Sequence, residues 1–101
     1  MRWMLPLLAV VLPLAAQAAD ATEGRRLAEQ WCANCHRIAT NGPGPATDAV
    51  PGFAAIAARL GMTEEAIATF LRTPHASMPD HGLTLRQAQD LAAFVKAQGA
   101  R

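Results

Sequence analysis

The chain has 101 residues, of which 51% are hydrophobic, 17% are charged and 5% are aromatic, and its formal net charge at pH 7 is +1. A chain of this length is expected to fold as one domain. Because acidic and basic residues nearly balance and form no basic patch, nucleic-acid binding is not expected. Only two cysteines are present, so any thiol chemistry depends on that pair.

The N-terminal segment has the pattern of an export signal. A basic residue precedes an apolar run over residues 3–16, and small side chains follow. The alternative is a transmembrane anchor, but the run contains two prolines and is shorter than the roughly 20 residues needed to span a bilayer. We therefore expect a signal peptide over residues 1–18, cleaved after Ala18 or Ala19, and a periplasmic domain over residues 19–101 without stable membrane insertion.

The first predicted helix begins at Thr22, a suitable N-cap, and extends to His36. Small and apolar side chains recur along one face at helical spacing. These residues are Gly24, Leu27, Ala28, Trp31 and Cys35. The helix is therefore expected to present the cysteines and the following histidine on one side.

The sequence Cys32-Ala33-Asn34-Cys35-His36 has the spacing of a c-type haem attachment site. Residues three and four apart share one helical face, so both thiols and the imidazole can address one flat cofactor. The thiols of Cys32 and Cys35 can form thioethers with two vinyl groups, and the imidazole of His36 can bind the iron from the proximal side. The motif therefore predicts one covalently attached haem c.

Two other chemistries use the same cysteines. With Trp31 in front, the pair resembles a thioredoxin-type redox motif, but that motif needs a preceding strand and none is predicted. A zinc site needs two further cysteine or histidine ligands. The sequence therefore favours haem attachment over both.

Further helices are predicted after a loop over residues 40–52 that is rich in glycine and proline. The second helix begins at Phe53 and ends at Gly61. The third has Thr63 as its N-cap, acidic residues in its first turn, and a stop at Pro74.

The fourth predicted helix begins with a capping box of Thr84 and Gln87 and ends at Gly99. No segment has the pattern of a strand pair. The side chains expected to be buried on the second to fourth helices are Phe53, Ile56, Ala57, Leu60, Ile67, Phe70, Leu71, Ala88, Leu91, Ala92, Phe94 and Val95.

The second axial ligand of the iron must come from outside the motif, and the candidate donors are Met62, His75, Met78 and His81. Met78 is preferred because it lies in the proline-stiffened segment 74–79, far from the motif, where the chain can present sulfur from the opposite haem face. Met62 is expected to fill a gap in the core. His75 and His81 each lie three residues from Met78 and remain alternatives.

These features together resemble a small bacterial class I cytochrome c over nearly all of residues 20–99. Gly24 matches the family's small residue where the first and last helices cross, and Phe94 matches the aromatic residue at that crossing. The resemblance implies an all-α class I cytochrome c fold, in which three to four short helices surround one covalently bound haem.

The resemblance also implies a partner for the proximal histidine. The segment that begins at Pro51 is similar to the family segment whose proline carbonyl accepts a hydrogen bond from that histidine, and Pro43 and Pro45 are the alternatives. Met78 and the proline after it resemble the family's distal ligand. The chain departs from the family in having no tyrosine, a group that members often use on the haem propionates, and the propionate partners are left unassigned.

Imidazole and thioether on the two axial sides leave no open position on the iron, which favours one-electron transfer between the Fe(III) and Fe(II) states. We therefore expect a monomeric periplasmic electron carrier, not an enzyme, with protein redox partners as donor and acceptor. The alternatives are a haem c subunit of a periplasmic dehydrogenase or oxidase complex, and a gas-binding haem sensor if Met78 does not bind the iron. Arg25, Arg26 and Arg37 form either a positive rim that steers an acidic partner or ordinary solvated surface.

Overall fold

The computed structural model describes residues 3–7, 9, 18–75 and 77–99. Four helices are present, α1 (Ala21–Trp31), α2 (Phe53–Ala57), α3 (Glu64–Leu71) and α4 (Leu85–Gln98). The described residues contain no strand, so the predicted all-α class is confirmed. No helix among them has the length and apolarity needed to cross a bilayer. Most of the predicted signal peptide, and the last two residues of the predicted domain, lie outside the described residues.

The start of α1 is set by Asp20. Its carboxylate accepts hydrogen bonds from the backbone N–H groups of Thr22 at 2.9 Å and Glu23 at 3.2 Å. The carboxylate satisfies two amides that the helix leaves unpaired and interacts favourably with the positive end of the helix dipole. The predicted N-cap at Thr22 is therefore wrong, because the chain is already helical at Ala21.

α1 also ends earlier than predicted, at Trp31. The backbone N–H groups of Cys32 and Ala33 both donate to the carbonyl of Ala28, at 2.8 and 2.9 Å. Two donors on one carbonyl interrupt the regular helical ladder, and the chain continues in turns. The predicted extension of the helix to His36 is therefore wrong.

α4 has the start and the end that the sequence predicts. Thr84 Oγ1 accepts from the backbone N–H of Gln87 at 3.1 Å, and Gln87 Oε1 accepts from the backbone N–H of Thr84 at 3.0 Å. Gly99 is the C-cap, and the predicted N-cap of α3 is confirmed by a 3.0 Å bond from Ala66 N–H to Thr63 Oγ1. The predicted buried residues of α4 are all buried, namely Ala88, Leu91, Ala92, Phe94 and Val95.

Two side chains that were predicted to be buried are exposed. α2 is only five residues long, so Leu60 lies beyond it in the turn before Gly61 and is fully exposed. Phe70 lies on α3 but is 53% exposed, because Ile67 and Ala68 form the buried face of that helix. Helical spacing alone predicted longer and wider apolar faces than these two short helices have.

The first and last helices cross at Gly24 on α1. A Cβ atom on this residue would lie 1.9 Å from the backbone oxygen of Asp90 and 2.9 Å from Cβ of Phe94. Glycine is therefore required where the two helix backbones meet. Leu27 and Leu91, on the same two helices, are the largest fully buried side chains of the core.

Asp90 on α4 is a buried charged residue, with 4% of its surface exposed. Its Oδ1 accepts a 2.8 Å hydrogen bond from the backbone N–H of Asp20 and lies 3.2 Å from Nε of Arg86. These polar partners offset the cost of burying the carboxylate. They also attach the start of α1 to α4.

Replacement of Gly24 by alanine is expected to lower the free energy of unfolding by about 3 kcal/mol or more. The added methyl group forces the helices apart, which outweighs the gain of about 1 kcal/mol in helix propensity. Urea or guanidinium unfolding of the purified protein measures the change. The matched control, Gln30→Ala on the exposed face of α1, is expected to change stability by less than about 0.5 kcal/mol. A Gly24→Ala protein of unchanged stability would contradict the close approach.

Candidate functional site

The segment Cys32–His36 forms a tight turn directly after α1. The carbonyl of Cys32 accepts from the backbone N–H of Cys35 at 3.1 Å and from that of His36 at 2.9 Å. The second of these bonds has helical spacing, so Cys32, Cys35 and His36 still belong to one turn of the backbone. Neither cysteine forms a disulfide; Cys32 is 6% exposed, and Cys35 is exposed to solvent.

The Cys32 thiol is hard to ionise. Burial raises the pKa of the Cys32 thiol to about 11, with a smaller contribution from Cys35. Cys32 is therefore a neutral thiol at physiological pH. Catalytic thiol redox pairs lower a cysteine pKa instead, because the thiolate is the nucleophile.

The ring of His36 is oriented by a backbone carbonyl. Its Nδ1 lies 2.7 Å from the carbonyl oxygen of Pro51. Because a carbonyl oxygen only accepts, Nδ1 carries the proton and Nε2 keeps its lone pair. The carbonyl of Pro45 accepts instead from the backbone N–H of Arg37, at 2.8 Å. His36 therefore has the arrangement typical of a metal-binding histidine.

The loop after the motif is held so that Pro51 reaches His36. The backbone N–H of Phe53 donates to the carbonyl of Arg37 at 2.9 Å, which closes the loop beside the imidazole. Gly44 has a φ of 109°, and a Cβ atom there would lie 3.1 Å from the carbonyl oxygen of His36. The loop therefore needs glycine at this position both for its backbone conformation and for the close approach.

Phe53 connects the imidazole to the core. Its ring centroid lies 5.7 Å from that of His36 and 6.1 Å from that of Phe94, which it meets edge to face at 70°. The sequence predicted both phenylalanines as buried but did not predict the contact with His36. Spacing along a helix identifies its apolar face but not the residue that the face meets.

Met78, the predicted distal ligand, lies in the segment that connects α3 to α4 and is half-buried. Its Sδ lies 3.2 Å from Nε2 of His75. The ring of His81 stacks instead on Trp31, with centroids 5.6 Å apart and an angle of 10° between the planes. Met62 packs against the core, as predicted. Of the four candidate donors, only Met78 and His75 are brought into contact with each other.

The side chains of the motif fit a covalent haem better than a thiol redox pair or zinc. Residues 18–75 and 77–99 contain no strand to carry a thioredoxin-type site, and the pKa of Cys32 is raised rather than lowered. In the part of the chain that the structure describes, no three His, Cys, Asp or Glu side chains group closely enough to hold a metal ion. Two reduced thiols and an imidazole with a free Nε2 are the groups that thioether formation and iron binding require.

In protein prepared without haem, Cys35 is expected to be alkylated at pH 8 at least about tenfold faster than Cys32. With a pKa of about 11, about one Cys32 side chain in a thousand is ionised at pH 8. The alkylation rate of Cys32 should therefore rise as the pH approaches 11. Timed iodoacetamide labelling followed by peptide mass spectrometry measures both rates. Denaturant should make the two rates similar; similar rates without denaturant would contradict the burial of Cys32.

Comparisons with known proteins identify the family of the chain. Residues 19–95 match the family model described as cytochrome c oxidase, cbb3-type, subunit III. The chain is 45% identical over 80 residues to cytochrome c-552 of Bradyrhizobium diazoefficiens, and the alignment covers 79% of this chain and 76% of that protein. No solved structure matches the chain significantly. The predicted resemblance is confirmed, and the chain belongs to the family of small class I c-type cytochromes.

Proposed function

We propose that the protein is a periplasmic one-electron carrier that holds one haem c, with His36 and Met78 as the axial iron ligands. The observation that carries the proposal is the His36 imidazole, fixed by the carbonyl of Pro51 at 2.7 Å and turned so that Nε2 is free. It stands in one turn with two reduced thiols. Haem c, when bound, supplies a reversible Fe(III)/Fe(II) couple.

Five residues have distinct roles in this proposal. The sulfur atoms of Cys32 and Cys35 form the thioethers that hold the group permanently, and His36 Nε2 binds the iron. The Pro51 carbonyl orients the imidazole and increases its basicity as a ligand. Met78 supplies a thioether, which favours the reduced iron and raises the reduction potential. With both axial positions of a bound haem filled by side chains, no position on the iron would be open to a substrate, which favours electron transfer over catalysis.

We further propose that residues 1–18 are a signal peptide and that the domain over residues 19–101 works as a monomer in the periplasm. The family match, which begins at residue 19, supports this boundary. Asp20, the N-cap of α1, is hydrogen-bonded to Asp90 of α4, so the packed structure begins next to the proposed cleavage position after Ala18 or Ala19.

The partners of an electron carrier are other redox proteins, which bind it weakly and briefly. Arg25 pairs with Glu29 at 3.0 Å and Arg26 pairs with Glu23 at 2.5 Å. These pairs offset two of the three positive charges near the motif, which favours ordinary solvated surface over a strongly positive rim.

A second candidate is a haem c subunit of a larger oxidase or dehydrogenase complex, favoured by the description of the matching family model. Purification from the native host distinguishes the two functions. A free carrier is recovered alone, whereas a subunit is recovered with a larger catalytic protein.

Covalent attachment is tested on protein made with a cytochrome c maturation system. The wild-type protein is expected to keep its haem stain and colour on a denaturing gel, because thioethers survive denaturation. The double variant Cys32→Ala/Cys35→Ala is expected to lose both, while either single variant keeps one thioether and stays stained. Loss of colour from the wild-type protein on the gel would contradict covalent attachment.

Axial ligation is tested by spectroscopy and redox titration. The ferric wild-type protein is expected to show the methionine-to-iron charge-transfer band, and Met78→Ala should abolish the band and lower the reduction potential. The ferrous wild-type protein should resist carbon monoxide, because no axial position is open. Survival of the band in Met78→Ala would show that another residue is the ligand, and ready binding of carbon monoxide by the wild-type protein would favour a gas sensor.

A further inference from the structure

Two histidine rings in this protein have a backbone carbonyl oxygen at Nδ1, a partner that metal-binding histidines also have. Nδ1 of His36 lies 2.7 Å from the carbonyl oxygen of Pro51, and Nδ1 of His75 lies 2.7 Å from the carbonyl oxygen of Thr73. Because these oxygens only accept, both rings carry a proton on Nδ1, and Nε2 is the nitrogen that is left to bind a metal. Metal-binding histidines commonly have such a partner, which fixes the ring and the tautomer.

The free Nε2 of His75 lies beside the proposed distal ligand, 3.2 Å from Sδ of Met78. This contact is within hydrogen-bond distance for a sulfur atom, which can only accept. It joins two lone-pair donors, an imidazole nitrogen and a thioether sulfur, and both types bind haem iron in proteins. A movement of the segment by about the distance between these two atoms would therefore replace the sulfur by the nitrogen as the ligand of a bound iron.

The His75 ring is held by contacts with α3 and with the turn that follows it. Its ring packs on Phe70 with centroids 4.0 Å apart, and Thr73, its hydrogen-bond partner, is itself bonded through Oγ1 to the carbonyl of Thr69 at 2.6 Å. Met78 follows Ser77, whose φ of 76° is a left-handed conformation that costs a non-glycine residue energy. The sulfur donor thus lies on a strained segment, and the nitrogen donor lies on a turn anchored to α3.

We propose that His75 is an exchangeable axial ligand, which binds the iron through Nε2 when the Met78 thioether leaves it. This inference rests on the proposed His36/Met78 ligation. In the exchange one iron–sulfur bond breaks and one iron–nitrogen bond forms; each lone pair stays with its own atom, and no electron or proton is transferred. Oxidation of the iron favours the exchange, because the thioether is the softer ligand and prefers the reduced state.

His81 is the natural control for this proposal. It also lies three residues from Met78, so it has the same separation along the chain. Its ring is stacked on Trp31 rather than in contact with the sulfur. Proximity in sequence alone predicts that His75 and His81 behave alike, whereas the structure assigns the exchange to His75.

The test compares haem-loaded Met78→Leu, Met78→Leu/His75→Ala and Met78→Leu/His81→Ala. Leucine keeps the volume of methionine but cannot bind iron. Ferric electron paramagnetic resonance and absorption are expected to show low-spin, six-coordinate iron in Met78→Leu and in the His81 double variant. The His75 double variant should be high-spin, and its ferrous form should bind carbon monoxide at least about tenfold more tightly, because no side chain then occupies the position.

High-spin iron in Met78→Leu would overturn the proposal. Low-spin iron in Met78→Leu/His75→Ala, or high-spin iron in Met78→Leu/His81→Ala, would overturn it as well. The wild-type spectrum is recorded separately. Absence of the methionine-to-iron band from that spectrum contradicts the proposed ligation, while the variants still decide whether His75 binds iron.

If Met78→Leu does not fold, wild-type and His75→Ala proteins are warmed until the methionine-to-iron band disappears. The wild-type iron should stay low-spin and the His75→Ala iron should become high-spin; high-spin iron in both would overturn the proposal.

Discussion

The contact between α1 and α4 at Gly24 is the constraint on which the rest of the structure depends. With no side chain at this position, the backbone of Asp90 approaches closely enough that a single added carbon would collide with it. The carboxylate of Asp90 also binds the backbone N–H of Asp20 at the start of α1. The direction of α1 is thereby fixed, and so is the position of the turn with Cys32, Cys35 and His36 that follows it.

The same contact supports the proximal side of the site through a series of rings. Phe94 borders Gly24, Phe53 meets Phe94, and His36 meets Phe53. Met78, the proposed second ligand, is half-buried beside His75 and follows Ser77, whose backbone is strained. The proposed ligand His36 is thus joined to the core by rings, whereas the proposed ligand Met78 lies on a strained segment before α4.

The parts of the structure that the sequence predicted are those set by local chemistry or by a short motif. The capping box of Thr84 and Gln87 satisfies its own backbone groups, and the family resemblance pointed to Pro51, whose carbonyl the His36 ring contacts. The errors arose where two neighbouring residues could each cap a helix, or where tertiary packing determines which side chain is buried. Asp20 caps α1 in place of Thr22, and Phe70, predicted to be buried from its spacing, is largely exposed and packs on His75. The approach of His75 to Met78 depends on a turn that no periodicity describes.

The pairing of α1 with α4 joins residues 70 positions apart along the chain, as between Asp20 and Asp90. Such contacts form late in folding, and short helices are marginal until they pack. Cys32 belongs to the same core cluster as the buried residues of α4, so its burial depends on packing that joins distant parts of the chain, whereas Cys35 is exposed in the folded protein. The helix crossing therefore affects the accessibility of one thiol as well as the shape of the domain.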